Sequence, residues 1–465
     1  MTVVLAVFAP AAVVYAVLRR PWHGRPSSIS RAFGLALAPG LAFGLASCVY
    51  FVLLLATSGH ARAARLDAAL WSLAVAMVAW DGWARRRGRP VDHAPPADRK
   101  FRSWRQPRKI AAGLAFVVVA ALAAWAFGVH VVLEPHGEWD AWAVWNLRAR
   151  SLLRGAPDWA AIFSPEIGWS SPDYPLLVPL TIARLWVFTG SESTSVPILV
   201  AATFFLGSIA TIVVSLGEAR GWTTGLLGGA VLLVSRTYVF HNGCQCGDGP
   251  LAFFLLVAVC SATIARQIIG AERLFFVSGL AAGLAAWTKN EGTVVLALVV
   301  VFVALSPIAW ASRRWALIAI GAALPVLALG FFKLRLSITS NYLVEPGAIA
   351  GMSAKLGDIE RWSSVVASFV RLIPRWGDVP GGALLSAVIA VAATGRADRE
   401  SLVRALSGVA LVSALTIGYM LVYVVTPLPL EWQISVSLSR LLAQLWPTFV
   451  WALFQLSDAE PRGQS

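Results

Sequence analysis

Charged side chains are scarce in this sequence. They make up 13% of its 465 residues, whereas soluble globular domains carry roughly 25%. Hydrophobic residues reach 58% and the mean hydropathy is +0.71, a balance that excludes a soluble globular protein. Apolar runs of about 17 to 25 residues recur along the chain, each long enough to cross a bilayer as a helix. The sequence therefore predicts an all-α polytopic integral membrane protein.

Cysteine is also rare, with four residues in the whole chain. The segment HNGCQC places His241, Cys244 and Cys246 close to Asp248. The second Cys/His pair of a structural zinc site is missing, and a disulfide between cysteines two positions apart is strained. The other two cysteines lie inside apolar runs, where cysteine acts as a small apolar residue. We therefore do not expect a metal at these cysteines.

Basic residues outnumber acidic ones by 38 to 24, which gives a formal net charge of +14. They cluster in short links between apolar runs, which is the positive-inside pattern of membrane proteins, so we predict no nucleic-acid partner. The densest cluster, residues 85–109, is predicted to be a cytoplasmic linker in contact with anionic lipid heads. No basic segment precedes the first apolar run, so a cleaved signal peptide is not expected.

A cytoplasmic linker at residues 85–109 fixes the direction of every other run. The N-terminus is then predicted to lie outside, the C-terminus inside, and the chain to be a multi-pass protein of the cell membrane. Residues 175–190 are short and contain Pro179 and Arg184; because an internal proline breaks a helix, we predict an interfacial or re-entrant helix on the outer face. About thirteen spans are predicted, at residues 3–18, 33–57, 66–84, 110–132, 196–216, 222–239, 250–264, 274–287, 292–310, 315–332, 379–394, 406–425 and 441–456.

With this topology, polar residues from five separate segments face the outer side. Ionisable groups at the ends of membrane helices are candidates for functional sites. The five segments together are a stronger indication than any one of them. The residues concerned are Glu138 and Asp140, Asp173 and Tyr174, Asp248, Lys289 and Glu291, and Glu431 and Arg440.

The order of five short motifs resembles the GT-C glycosyltransferases, which use polyprenyl-phosphate sugars. The chain is similar to the bacterial branch related to protein mannosyltransferases and aminoarabinose transferases, over about residues 110–446. This resemblance implies a location in the inner membrane of a bacterium. It departs from the family pattern at Gln433 and Ser171, where histidines are expected, and at Gly247 beside Asp248. The motifs are EWDAWAVWNLRAR, PDYPLLVPL, CGDGPLAFF, AWTKNEG and SLSRLLAQLWP.

The resemblance implies a division of the chain into three parts. Residues 1–109 are a three-helix membrane extension with the basic linker. Residues 110–332 are a GT-C-like catalytic membrane core, whose outer loop at 134–195 holds juxtamembrane helices. Residues 333–465 contain a second outer loop, at 333–378, and the last three membrane helices.

The resemblance also implies an activity. A sugar would move from a polyprenyl-phosphate donor to a lipid, glycan or protein acceptor outside the cell, with inversion at the anomeric carbon. Asp140 aligns with the family's first-loop acid and is the expected general base, with Glu138 as the second candidate.

The remaining candidates are expected to bind substrate. Cations aimed at the departing lipid phosphate would stabilise its developing charge. Asp248 would hold a divalent cation or orient a substrate hydroxyl. The candidates for the phosphate are Lys289, Arg440 and Arg148, and the PDY segment adds Asp173 and Tyr174.

Each candidate also has a purely structural interpretation. Asp140 and Asp248 could cap the helices that follow them. Lys289 could extend its amine to the interface, and Arg440 could be an interfacial anchor. The tryptophans of the first motif, Trp139, Trp142 and Trp145, are predicted to lie at the membrane interface, with sugar stacking as the alternative.

Other functions stay open at this point. One is a polytopic transporter or lipid flippase for a cell-envelope precursor, although the sequence has no convincing internal repeat of the kind many transporters show. Another is a membrane scaffold without catalytic activity, which would have no need of acidic and basic groups on one face.

Overall fold

The computed structural model describes residues 2–20, 29–57, 59–87, 107–155, 158–267, 271–304, 312–336, 348–374, 382–393 and 399–457. Within these ranges all regular elements are helical and none is a strand, so the all-α prediction is confirmed. The first nine helices are α1 (Thr2–Arg19), α2 (Arg31–Thr57), α3 (His60–Arg87), α4 (Pro107–Leu133), α5 (Asn146–Arg154), α6 (Leu177–Thr189), α7 (Ser195–Arg220), α8 (Trp222–Val234) and α9 (Arg236–Gly243).

The remaining described elements are also helical. Two short π-helical segments, Ala141–Trp145 and Phe332–Leu336, and two 3-10 segments, Trp159–Phe163 and Pro165–Ser170, complete the described elements. The helices are α10 (Asp248–Gln267), α11 (Arg273–Thr288), α12 (Glu291–Ala304), α13 (Ser312–Phe331), α14 (Ala348–Leu356), α15 (Ile359–Leu372), α16 (Gly382–Ala393), α17 (Arg399–Val425) and α18 (Leu430–Phe454).

Seven of the described helices are long and apolar enough to cross a membrane, or eight when one bent pair counts as a single span. The protein is therefore a multi-pass helical membrane protein. Helices α1, α11, α12 and α16 supply shorter apolar stretches of 10–17 residues at further predicted spans. The seven helices are α2, α3, α4, α7, α10, α13 and α17.

The predicted single span at residues 222–239 is instead a bent pair. Helices α8 and α9 meet at an angle of 72°. The break falls at Ser235, whose hydroxyl accepts a hydrogen bond from the backbone N–H of Tyr238 at 3.3 Å and so caps α9. A serine cap offers the backbone an alternative to continuing the previous helix. The hydropathy of the surrounding residues did not predict this bend.

Helix α6 occupies the segment predicted to be interfacial or re-entrant. Its 13 residues extend about 20 Å, too short to cross the bilayer core. The helix packs against α1, α2, α3 and α5, and Arg184 is buried with 1% of its side chain exposed. Arg184 Nη2 lies 2.7 Å from Asp67 Oδ2 on α3. The segment is thus enclosed by protein. Its arginine can be buried because Asp67 neutralises it, a partner that the sequence did not identify.

The two ends of the helical bundle carry different polar groups. At one end, the guanidinium of Arg273, which opens α11, donates to the carbonyl of Arg20. Asp81 lies 3.4 Å from Arg20 Nη2 and 2.9 Å from Arg85 Nε. At the other end, Lys289 follows the last residue of α11. The 16 residues of α11 separate these two points by about 24 Å. Three residues of the links predicted to be cytoplasmic, Arg20, Arg85 and Arg273, therefore gather at the end opposite to Lys289.

The three-part division of the chain stays a prediction. The N-terminal helix α2 packs closely against the rest of the bundle, with contacts to α6, α7 and α13. Some of the predicted segments lie partly outside the described residues: the basic linker at 88–106, the second outer loop at 337–347 and 375–378, and two predicted spans at 305–310 and at 379–381 with 394.

Candidate functional site

Asp248 is the first residue of α10 and is 3% exposed. Its Oδ1 accepts hydrogen bonds from Lys289 Nζ at 2.9 Å and from Gln444 Nε2 at 2.5 Å. Its Oδ2 accepts two more from Arg440, from Nε at 3.2 Å and from Nη2 at 3.0 Å. A carboxylate has about four lone-pair positions, so these bonds occupy all of them. The side chain therefore anchors a buried network that joins α10, α18 and the α11–α12 junction.

Arg440 connects this buried carboxylate to a second one. Its Nη1 lies 2.5 Å from Asp140 Oδ2, while Nε and Nη2 face Asp248. A planar guanidinium with five donors can serve two carboxylates at once, which a lysine cannot do in the same geometry. Asp140, Asp248, Lys289 and Arg440 thus form one connected group, which we call the charge cluster.

Asp140 lies at the solvent-exposed edge of the charge cluster, with 32% of its side chain exposed. It precedes the π-helical segment Ala141–Trp145, but within the described part of the chain its side chain makes no capping hydrogen bond to that segment. The carboxylate is directed to Arg440 instead, so the interpretation of Asp140 as a helix cap was wrong. Single-turn π-helical segments are frequent at functional sites.

Lys289 lies between α11 and α12 and is 3% exposed. Its Nζ is 2.9 Å from Asp248 Oδ1 and 3.2 Å from Glu291 Oε1. Burial lowers the pKa of Lys289, but the carboxylates of Asp248 and Glu291 outweigh it and hold that pKa above its usual value. The amine is therefore charged and enclosed, and does not extend to a solvent interface.

Tyr174 forms one wall of the space around Lys289. The Lys289 Nζ lies 5.7 Å from the centre of the Tyr174 ring, within the range of a cation–π contact. The same ring stacks on Trp145, with centres 5.7 Å apart and an angle of 22°. The negative charge of Glu291 and burial together raise the pKa of Tyr174, so its phenol is neutral.

A close approach of backbone makes this arrangement possible. Gly247 lies directly before Asp248, and a Cβ at this position would come within 2.8 Å of the Trp145 ring and 3.1 Å of Lys289 Cγ. Glycine at position 247 thus has a packing reason, because any larger residue would displace the Trp145 ring or Lys289.

Arg148 does not join the charge cluster. Its guanidinium donates to the carbonyl oxygens of Ser170 at 2.6 Å, Tyr174 at 3.0 Å and Ser171. Burial lowers the pKa of Arg148 to about 10, so the side chain remains charged at neutral pH. It fixes the loop that leads to Tyr174, a structural role in place of the expected contact with phosphate.

Asp173 belongs to a neighbouring network. Its Oδ2 accepts a hydrogen bond from Asn290 Nδ2 at 2.7 Å. Lys333 Nζ donates to Asn290 Oδ1 at 2.8 Å and to the carbonyl oxygen of Asp173. This network joins the loop between α5 and α6 to the residue that follows Lys289, so it supports the charge cluster from one side.

Glu138 has a different partner from Asp140. Its Oε1 lies 3.7 Å from His130 Nε2 at the end of α4, and 40% of its side chain is exposed. The two acids of the first motif therefore have different surroundings, a cation for Asp140 and an imidazole for Glu138.

The three tryptophans of the first motif also differ in their surroundings: two are exposed and one is buried. Trp139 and Trp142 are 53% and 47% exposed, and their ring centres lie 5.5 Å apart. The exposed Trp169 joins them, 6.5 Å from Trp139. Trp145, also predicted to lie at the interface, is 1% exposed; the prediction was wrong for this residue, because its ring packs against Tyr174.

A divalent cation does not fit beside Asp248. All lone-pair positions of its carboxylate are occupied, and Lys289 and Arg440 would repel a metal ion. Within the described residues, one group of potential metal ligands is found elsewhere, at His130, Glu138 and Cys244.

Two residues of the network were not predicted as site residues. Gln444 lies four positions after Arg440 on α18, and this spacing puts both side chains on one helix face; that spacing was a usable signal. Tyr419 on α17 donates from its hydroxyl to Gln444 Oε1 at 2.9 Å, which directs the amide N–H groups to Asp248. Tyr419 lies within an apolar run, and nothing local to it indicated this contact.

No family model, curated protein or solved structure matches the chain.

Proposed function

We propose that the chain is a membrane glycosyltransferase that moves a sugar from a polyprenyl-phosphate donor to an acceptor on the extracytoplasmic face. The observation that supports this proposal most directly is the bridge of Arg440 between the partly exposed Asp140 and the buried Asp248. It puts a carboxylate that can accept a proton beside a cation that can hold a phosphate.

The proposed reaction assigns one role to each group. The Asp140 carboxylate takes the proton of the acceptor hydroxyl as the acceptor oxygen attacks the anomeric carbon. The bond between that carbon and the phosphate oxygen breaks, and its electron pair leaves with the polyprenyl phosphate. Arg440 and Lys289 stabilise the charge on this leaving group. Attack opposite to the leaving group inverts the anomeric configuration.

Asp248 takes part without touching substrate in this mechanism. It holds Lys289 and Arg440 in fixed positions, so little reorganisation is needed when the phosphate arrives. A phosphate oxygen bound at Arg440 Nη1 takes the place of Asp140 Oδ2, now 2.5 Å away. Donor binding would thereby release the Asp140 carboxylate to act as the base.

The proposal also includes the finer topology. Thirteen spans with a GT-C-like core place the charge cluster on the outer side of the cell membrane. The support for this is the grouping of Arg20, Arg85 and Arg273 at the opposite end, because basic residues in short loops favour the cytoplasmic side. The donor would reach the site laterally from the lipid.

The test compares envelope glycans, by mass spectrometry, in cells with and without this chain. Loss of a hexose, pentose or amino sugar would identify the donor and the acceptor. Asp140→Asn should fail to restore that sugar, with a rate at least roughly 100-fold lower, as expected when a general base is removed. The control is Asp158→Asn, because Asp158 is an exposed acid of the same outer loop outside the charge cluster.

Two results would refute the proposal. The first is full restoration by Asp140→Asn at normal membrane levels. The second is movement of a solute by the purified protein in liposomes without consumption of a lipid-linked sugar, which would identify a transporter.

A further inference from the structure

Three potential metal ligands meet beside the charge cluster, and the proposed reaction uses none of them. They are His130 near the end of α4, Glu138 in the segment that follows it, and Cys244 in the loop between α9 and α10. One ligand atom of each lies within 4.8 Å of the others. His130 Nε2 and Glu138 Oε1 are 3.7 Å apart, close to the spacing of two ligands on one tetrahedral ion.

The backbone holds these residues together independently of any metal. Gly137 has φ +74°, and a Cβ there would lie 2.7 Å from the carbonyl oxygen of Cys244. Gln245 donates from Nε2 to the carbonyl of Pro135 at 3.2 Å. The segment that carries Glu138 is therefore docked on the loop that carries Cys244, so the ligands are assembled in advance.

A second observation indicates that the group is built for a ligand. His130 Nε2 is buried and has no hydrogen-bond partner among the described residues. A buried polar nitrogen without a partner is unfavourable, and a bound ion would satisfy it. The Cys244 thiol faces the same group; its present contacts are the carbonyl of Phe240 at 3.3 Å and His241 Nδ1 at 4.0 Å.

We propose that His130, Glu138 and Cys244 bind a zinc-type transition-metal ion. An imidazole, a thiolate and a carboxylate are the ligands that zinc takes, and three protein ligands leave a fourth tetrahedral position for water. Binding replaces the thiol proton of Cys244, which is released to solvent. The sequence argued against a metal here because no second Cys/His pair lies near Cys244, and the two further ligands are far from it in the chain.

The ion would act on the charge cluster through the backbone. It would tie α4 to the α9–α10 loop, and Cys244 is four residues before Asp248, which holds Lys289 and Arg440. This role is independent of the sugar-transfer proposal, because it requires only that the loop and the end of α4 stay together.

The test measures metal binding to the purified full-length protein. After treatment with a chelator, the protein is equilibrated with Zn²⁺ and its metal content is measured; one zinc per chain is expected. With Co²⁺ in place of zinc, a thiolate-to-cobalt charge-transfer band should appear. Absence of this band from the wild-type protein would overturn the proposal, and this result requires no variant to fold.

Variants identify the ligands. Cys244→Ser should abolish the cobalt band, and His130→Gln and Glu138→Gln should weaken zinc binding by more than the roughly 10- to 100-fold that loss of an outer-shell partner costs. The matched control is Cys246→Ser, a buried cysteine of the same loop outside the ligand group, which should keep the band and one zinc. Loss of the band in Cys246→Ser together with its retention in Cys244→Ser would assign the metal to other residues and refute this site.

Discussion

The Arg440 guanidinium reaches a partly exposed carboxylate with Nη1 and a buried one with Nε and Nη2. The buried contacts fix the plane of the group, and in the proposed mechanism the contact with Asp140 is exchanged for the donor phosphate. The proposal therefore predicts that arginine is needed at this position for its shape as well as its charge.

Arg440→Lys tests this requirement. A lysine has one nitrogen at its end and cannot contact both carboxylates with the same geometry. We expect sugar transfer to fall by roughly 100-fold or more, as for the loss of one transition-state donor, while the protein remains folded. Transfer is measured as the rate of sugar incorporation. The control is Arg154→Lys at the exposed pair with Glu192, and equal rates in both variants would contradict the prediction.

Asp248 and Asp140 should differ in their contribution to stability. Asp248→Asn leaves Lys289 and Arg440 without the carboxylate between them, and breaking such a buried pair costs about 3–5 kcal/mol. Asp140→Asn should cost less than about 1 kcal/mol, because Arg440 keeps its contacts to Asp248. Thermal unfolding of both variants in the same detergent measures the difference. A similar melting temperature for the two would be evidence against a buried anchoring role for Asp248.

The pairing of helices α3 and α6 explains how a short helix is held inside the bundle. Arg184 donates from Nε to Asp67 Oδ2 at 2.9 Å and from Nη1 to the carbonyl of Ala6 at 2.9 Å. Trp71 Nε1 donates to the other oxygen of Asp67 at 3.0 Å. Three helices, α1, α3 and α6, thus share one enclosed ion pair.

A single variant and a double variant together test the pair between α3 and α6. Arg184→Leu alone leaves Asp67 buried without its cation and should lower stability by about 3–5 kcal/mol. Adding Asp67→Leu should recover most of this loss, because apolar replacement of a buried ion pair is often neutral. Melting temperature and the yield of folded protein are the measurements. A double variant no more stable than the single one would show that the helices do not depend on charge pairing.

Hydropathy predicted the positions of the long apolar helices, such as α2, α4 and α7, because the length of an apolar run is a local property of the sequence. It did not indicate helices α14 and α15, which lie in the segment predicted to be the second outer loop, residues 333–378. It did not predict the bend at Ser235, which depends on one capping hydroxyl. For the candidate site, motif order drew attention to four residues that lie together, Asp140, Asp248, Lys289 and Arg440. Arg148 was predicted to bind phosphate because of its position in a motif. Its partners are instead backbone carbonyls of the loop at residues 170–174. Those contacts depend on how the loop packs in three dimensions, which the local sequence does not show.

The whole protein has a predicted orientation in the membrane, given by the two ends of α11. Cysteines introduced at Ser191, in the exposed loop between α6 and α7, and at Arg87, at the end of α3, should lie on opposite sides. A membrane-impermeant maleimide should label Ser191→Cys in intact cells and Arg87→Cys only after permeabilisation. The reverse pattern would place the charge cluster in the cytoplasm and end the proposal of an extracytoplasmic enzyme. The wild-type protein, whose four cysteines are buried, is the control for background labelling.

The long separation of Asp67 and Arg184 in the chain has a consequence for biosynthesis. The two residues are 117 positions apart, and a ribosome adds roughly 5–20 residues per second. The acid of α3 therefore emerges roughly 6 to 23 s before its arginine is made. During that interval the Asp67 carboxyl group has no arginine partner, so the enclosed contact between α3 and α6 forms only after α6 has been made.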